Sequence, residues 1–430
     1  MVADNRTKTN FAGLKTTFRS FQYKNYRLFF GGQSLSLIGT WIQRIATPWL
    51  VYHLTNSPFL LGLVGFAGQL PTFLIAPFAG VLTDRMNRYH ILIVTQVAAM
   101  VQALLLALLY FTGTIQVWHI VILSIFLGII NAFDVPARQS FLVEMVDKKE
   151  DLGNAIALNS SMVNGARLLG PSVAGLLISF AGEGICFLIN GLSYLFVIGS
   201  LLLMKVVPRK TNNRDKNILN ELKEGFSYAF GWAPIRYIIL LLALISLMGM
   251  PYTVLAPVFA KEILHGGSHT FGFLMGASGL GALTGALFLA SRKDASGIVR
   301  IIPLAAGIFG LGLISFSLSR FLPLSLVLMM VIGLGMMLQM ASSNTILQTI
   351  VEDDKRGRIM SFYTMAFMGT APFGSFLAGA FAKLIGAPYT VLIGGIACIA
   401  GAIIFARRLP ALKRMIQSAY VKSIYIQPEI

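Results

Sequence analysis

Twelve long apolar runs, each separated from the next by a short polar or charged stretch, make up most of this 430-residue chain. A bilayer core about 30 Å thick needs roughly 20 apolar residues per helical crossing. Water is absent from that core, so the backbone must satisfy its own hydrogen bonds, in helices or in a closed barrel. The runs are continuous rather than alternating, which selects helices. They lie at roughly 27–52, 58–82, 90–112, 117–134, 155–180, 184–205, 236–260, 271–290, 299–319, 323–343, 360–382 and 388–407. Only 12% of residues are charged, about half of what a soluble protein carries. The expected fold class is an all-α membrane protein of twelve transmembrane helices.

The formal net charge of +17 invites a nucleic-acid reading, but its placement excludes one. If both ends of the chain lie on one side, 29 of the 34 Lys and Arg fall in loops and tails of that side. Lys261, Arg320 and Lys383 lie opposite, and Arg44 and Arg167 fall inside spans. The positive-inside rule then puts both termini in the cytoplasm, with anionic lipid as a secondary partner of the basic loops. Residues 1–25 are polar and basic with no apolar core ahead of the first span, so no cleavable signal peptide is expected. Cys186 and Cys398 both fall in spans and form no metal or disulfide pattern. The five histidines sit near span ends or in loops, and no Ser-His-Asp set or phosphate loop is visible. Neither an enzyme nor a metal or cofactor site is expected.

The longest hydrophilic interruption, 206–235, divides the chain into halves of six spans, 26–205 and 236–408, with tails at 1–25 and 409–430. Within it Ile218, Leu219, Leu222, Phe226 and Phe230 recur at helical spacing among Lys and Glu, the pattern of an amphipathic helix on the membrane surface. The halves also resemble each other. QSFLVEMVD at 139–147 lies over NTILQTIVE at 344–352, an offset of 205. Gly165, Gly170, Ala174 and Gly175 lie 204 residues before Gly369, Gly374, Ala378 and Gly379. Two pseudo-symmetric six-helix halves with cargo held between them near the midplane are a known transporter plan.

In the first span Gln33, Ser36, Thr40, Gln43, Arg44 and Thr47 recur at three- and four-residue steps and form one polar stripe. Lipid penalises such a face, so it should line water or protein. Arg44 is the sharpest member, and Asn164 and Arg167 in the fifth span offer a second cationic group. All 17 Asp and Glu fall in tails, loops or span ends, which leaves no mid-span carboxylate to carry a proton. Asp134, placed at the end of the fourth span and four residues before Arg138, is the nearest. It serves either as a proton relay or as a structural partner of Arg138. Ala166, Gly170 and Ala174 step by four in the fifth span, as do Ala277, Gly281 and Gly285 in the eighth, small-residue rows that let helices approach closely; with Pro171 and Gly175 they are expected at the seam between halves. The second half is Met- and Phe-rich (Met250, Met336, Met337, Met340, Phe362, Met365, Phe367), with Gln339 among its few polar groups. Met and Phe form either an adaptable apolar wall or ordinary core.

The break between spans 2 and 3, GVLTDRMNRYH at 80–90, carries Gly80, Asp84, Arg85 and Arg88. It resembles the G-x-x-x-D-R/K-x-G-R-R/K loop of the major facilitator superfamily, with Asn87 and Tyr89 departing from it. ARLLGPSVAG at 166–175 is similar to that family's antiporter motif, with Ala166 and Ala174 in two glycine places. The stretches 133–146, 154–171 and 344–361 resemble the exporter branch that includes siderophore exporters of the enterobactin type. The loop SRKDASG at 291–297 lacks the Asp-Arg core, and the fourth span lacks the arginine that many drug exporters carry there. The resemblance implies a monomeric secondary transporter of a bacterial inner membrane, exporting a small amphiphilic molecule with protons as the coupling ion. Gly80, Asp84, Arg85, Arg88, Asp134 and Arg138 become gating candidates. Gln33, Ser36, Thr40, Gln43, Arg44, Asn164, Arg167 and Gln339 become cargo-binding candidates. The alternatives are an importer or lipid flippase of the same fold, and a membrane scaffold or sensor.

Overall fold

The computed structural model describes residues 18–146, 148–205, 228, 230–292 and 297–425; the side chains at 77, 80, 81, 84, 85, 149, 353, 354 and 416–425 lie outside that description. It is all-helical over these residues. The first six long helices are α1 Lys24–Thr55, α2 Pro58–Arg85, α3 Arg88–Phe111, α4 Val117–Glu144, α5 Lys149–Ala181 and α6 Glu183–Leu202. The second six are α7 Ala233–Ile263, α8 Ser268–Ala290, α9 Ile298–Leu318, α10 Leu322–Ile350, α11 Lys355–Ile385 and α12 Ala387–Tyr425. Two π-helical segments, Ile245–Gly249 and Phe259–Ile263, widen α7, and one, Met365–Gly369, widens α11. Eleven of the twelve are long and apolar enough to cross a membrane. The exception is α1, whose 32 residues include the polar stripe.

Each span read from hydropathy coincides with one helix, and one boundary difference has chemical weight. The fourth span was expected to end at 134, just before Pro136. The helix instead runs through Pro136 to Glu144. Proline removes the N–H that would bond four residues back and normally breaks a helix. Here Ala137, Phe141 and Leu142 bury themselves beyond it, against Tyr26, Ile91 and Leu158, and that packing offsets the lost bond. Asp134 therefore lies about ten residues inside α4, buried, which corrects the expectation that it sits at the end of the fourth span. At the other end α12 continues through Pro410 to Tyr425. The amphipathic segment at 206–235 falls largely outside the described residues, as do 293–296 of the α8–α9 loop.

Helices α1–α6 form one half and α7–α12 the other. Small residues set the approach inside each half. Gly32 and Gly39 of α1 lie against Ser200 and Ser193 of α6, and Gly335 of α10 against Ala305 and Phe309 of α9. A short turn before α1, Arg19–Gln22, docks on the start of α5. There Arg19 pairs with Asp151 at 2.9 Å, while Gln22 and Tyr23 donate to the same carboxylate at 2.8 and 2.7 Å. A carboxylate in the first turn also suits the positive end of the α5 dipole.

Among the described residues the halves touch from mid-helix to one end. Calling the face where α1 begins and α12 ends proximal, the described hydrogen bonds and ring contacts between halves lie from mid-helix to the distal face. Gly175 of α5 abuts Gly272 of α8, and Ser268 donates to the Gly175 carbonyl at 3.1 Å. On the other side Gly62 of α2 abuts Gly379 of α11, flanked by Phe59–Phe376 and Phe66–Phe373 ring pairs at 5.8 and 5.9 Å. Toward the proximal face Gly153, Gly165 and Gly357 border open space, and Ser160, Ser161, Gln348 and Ser361 are exposed. The molecule is a cleft closed distally and open proximally.

Candidate functional site

Arg44 and Arg167 stand at the closed end of this cleft. Arg44 is exposed to solvent, yet Arg167, Arg138 and Tyr194 lie within electrostatic reach of its guanidinium. Its charge therefore points into the space between helices. The guanidinium sits over the Trp41 ring at 4.9 Å, a cation–π contact that holds it without neutralising it. Arg167, half-buried on α5, reaches across to the second half, where Nη2 is 3.8 Å from Met336 Sδ. Tyr252 of α7 lies within its electrostatic reach, and that phenol is 2.9 Å from the Ser278 hydroxyl. Among the described residues neither guanidinium has a carboxylate partner. Elsewhere in the first half Arg88 pairs with Glu144 at 2.7 Å, and buried Glu183 with His53 at 3.1 Å and Tyr110 at 2.8 Å.

The rest of the α1 stripe divides by direction. Gln33, Ser36 and Gln43 are buried within the first half. Gln43 is the middle of a chain of amides. Asn190 donates to it at 2.6 Å, it donates to Gln102 at 3.0 Å, and Gln102 donates to the Leu123 carbonyl at 3.3 Å. This chain ties α6, α1, α3 and α4 together. Thr40 is half-buried, bonded to the Ser36 carbonyl at 2.9 Å and close to Tyr194. Asn164 is half-buried on the proximal side of Arg167, donating to the Ser160 carbonyl at 2.9 Å. Gln339 is fully buried in α10, donating to Ser343 at 3.3 Å while its own amide oxygen lacks a partner.

Asp134 and Arg138 form an i,i+4 pair at 3.4 Å. Gln96 and Thr95 of α3 donate to the same carboxylate at 2.7 and 3.1 Å. The hairpin that follows α2 lies on the proximal face. Of its gating candidates, Arg88 pairs inside its own half, and the side chains of Gly80, Asp84 and Arg85 lie outside the description.

The small-residue rows serve two kinds of contact. Pro171 and Gly175 lie at the boundary between halves. Gly170 instead packs on Trp41 of α1, and Gly281 and Gly285 on α10, all within a half. A row of small residues allows close approach without naming the neighbour. Sequence reasoning missed the polar distal clasp. Tyr52 of α1 donates to Glu262 of α7, Lys261 donates to Asn56 at 2.7 Å, and Trp49 stacks on Phe271 at 6.1 Å. Nothing in local pattern pairs these residues; only the approach of the halves does. Tyr194, Gln96 and Tyr252 were likewise invisible, being single polar groups in apolar runs.

Comparisons with known proteins agree with this architecture. The sequence profile of the family described as transmembrane secretion effector matches residues 15–428. The staphyloferrin A transporter of Staphylococcus aureus is 27% identical, with 88% of this chain and 95% of that protein covered. Macrolide efflux protein A of Streptococcus pyogenes is 26% identical, with 88% and 96% covered. Among solved structures, a bacterial homologue of the iron transporter ferroportin in its inward-facing state superposes with a TM-score of 0.67 at 16% identity, covering 90% of this chain and 98% of that one.

Proposed function

The chain belongs to the transmembrane secretion effector family of major facilitator transporters, and on that premise we propose that it exports a small amphiphilic anion by alternating access, with protons as the coupling ion. The observation that carries this reading is the pair of guanidiniums, Arg44 and Arg167, deep in the cleft and without carboxylate partners among the described residues. A charge at membrane depth is costly unless paired. A bound anion supplies the pairing, through charge-assisted and bidentate hydrogen bonds. Arg167 touches Met336 of the second half, and Met340 and Phe362 are partly buried against the same core cluster, an apolar character suited to a cargo's hydrophobic part. Relatives named for a siderophore and for a macrolide support a siderophore- or drug-like cargo.

With the termini in the cytoplasm of a bacterial cell, the open face is the loading side, and the clasp of Tyr52, Glu262, Lys261 and Asn56 is the outer gate. The Asp84–Arg88 hairpin closes the inner side in the opposite state, and the protein works as a monomer. The test compares small molecules excreted by cells with and without the protein, then follows the missing compound into everted membrane vesicles. We expect an anionic amphiphile whose uptake is restored by the wild type and not by Arg44→Ala at equal membrane levels. A neutral or cationic compound, or full activity of Arg44→Ala, overturns the reading.

A further inference from the structure

We propose that Met336 and Tyr252 of the second half are positioning residues for Arg167, and that an anionic cargo competes with them for its guanidinium, so that loading from the open face loosens the seam between halves. This deepens the proposed function and rests on its anionic cargo.

Arg167 stands where the cleft gives way to the seam. Proximal to it on α5, Gly165 borders open space, and Ser160 and Ser161 are exposed. From Arg167 onward α5 lies hard against α8. A Cβ on Gly279 would stand 3.0 Å from the Arg167 carbonyl oxygen, and one on Gly272 would stand 2.6 Å from that of Pro171. The half-buried side chain crosses to the second half at this border, with Nη2 3.8 Å from Met336 Sδ. It is therefore within reach of cargo on one side and is part of the seam on the other.

The pocket is firm, and its partners are weak. Met336 and Tyr252 are 1% and 2% exposed. The Tyr252 phenol is 2.9 Å from the Ser278 hydroxyl, and its ring packs on Phe309 at 6.2 Å. Helices α8 and α9 thus fix that phenol within electrostatic reach of Arg167. A thioether is a weak acceptor and a phenol a neutral one, so they orient the cation without neutralising it. An anionic headgroup offers charge-assisted bonds, often bidentate, that are roughly twice as strong. Nη2 belongs to both edges on which a guanidinium makes such paired bonds, end-on with Nη1 and side-on with Nε. An anion held by either edge uses the atom that now faces Met336.

The second seam is built differently. Ala371 lies 204 residues after Arg167. Helix α2 meets α11 through Gly62 and Gly379, through ring pairs, and through a 3.4 Å bond from Gln69 to Ser375. The cation there, Lys383 over Phe59 at 5.8 Å, lies at the distal end, away from the cleft. Anionic cargo in the cleft therefore acts on the α5–α8 seam. It binds more tightly once Arg167 has left its pocket, and a ligand favours the state that it binds more tightly. Loading biases the carrier toward distal opening, the direction that export needs. By reciprocity, parting of the seam strengthens anion binding by the same factor.

The test uses the full chain in nanodiscs, octanesulfonate as the amphiphilic anion, and nitroxides on the α3–α4 and α9–α10 loops of the distal face. Calorimetry reads affinity and spin-label distances read distal opening. In the wild type we expect octanesulfonate to lengthen the distal distances. The double variant Tyr252→Phe with Met336→Leu nearly keeps side-chain volume and removes both partners of Arg167. It should bind octanesulfonate about five- to tenfold more tightly, show longer distal distances before ligand is added, and respond no further to it. Each single variant should move both readouts part of the way. Damage to packing alone would weaken binding, so the gain in affinity separates positioning from a structural role. Equal or weaker binding in the double variant, with a wild-type response to ligand, overturns the shared role of Arg167. Failure of the wild type to bind octanesulfonate counts against the anionic cargo. The resting distances of the double variant then still judge the pocket, and unchanged distances overturn it.

Discussion

The two halves share a frame and differ in chemistry. Asn190 is hydrogen-bonded to Gln43 in the first half. At the corresponding place in the second, Gly394 lies against the Met248 carbonyl. The Asp134–Arg138 ion pair has Gln339–Ser343 as its counterpart 205 residues later. Arg44 corresponds to Gly249, which packs on Phe309 and Cys398. The corresponding helices thus pack alike while these polar and charged groups fall on one side. The difference is one of chemistry: the first half carries Arg44, Arg167 and the amide chain around Gln43, where the second carries Gly249, Gly394 and the sulfur of Met336.

The comparison can be broken most severely at the boundary itself. A Cβ on Gly175 would stand 2.8 Å from the Ser268 carbonyl and 2.9 Å from Gly272 Cα. Gly175→Val should abolish transport, whereas Gly165→Ala, which borders open space, should leave it near wild type; vesicle uptake distinguishes them. Next, Arg44→Ala should cut transport of an anionic amphiphile at least about tenfold, the loss of one charge-assisted bond of ~1.5–3 kcal/mol. Equal losses for a neutral cargo would sink the charge argument.

Making the halves alike should also fail in a defined way. Gln339→Asp buries a carboxylate without a cation and should lower stability by about 3–5 kcal/mol, and adding Ser343→Arg should recover most of it. A thermal melt of the purified single and double variants checks this. Asn190→Ala removes the first link of the amide chain and should cost about 1–3 kcal/mol by the same melt, while Gly394→Ala tests steric crowding in the other half. The smallest effect is expected at the distal clasp. Tyr52→Phe removes one half-exposed bond, worth about 1 kcal/mol, and should shift the resting population toward distal opening. Spin-label distances across that face read the shift, and an unchanged distance distribution excludes the latch role.

Much of the fold was readable in the chain before any coordinates. Apolar length marked all twelve helices, since a bilayer imposes a minimum run on each crossing. The polar stripe of α1 marked it as the helix that lipid cannot surround, and it is the one long helix not apolar enough to span on composition. Half of the candidate site was readable too, because Arg44 and Arg167 are anomalies against an apolar background. The depth of Asp134 was not, since Pro136 reads locally as a stop and only the packing of Phe141 and Leu142 carries the helix past it.

What the sequence alone determined is therefore one-dimensional: the number of crossings, the internal repeat, and which groups are too polar for lipid. Periodicity specifies a face and leaves its neighbour open. Tertiary structure decided the neighbours. It turned Gln43 inward to Asn190 and left Arg44 facing the cleft one residue later. It set Gly170 against Trp41 and Gly175, five residues on, against the other half. Close packing of helices is the reason: a rotation of about 100° per residue separates a buried amide from a cation that faces the cleft, and only the surrounding helices say which is which.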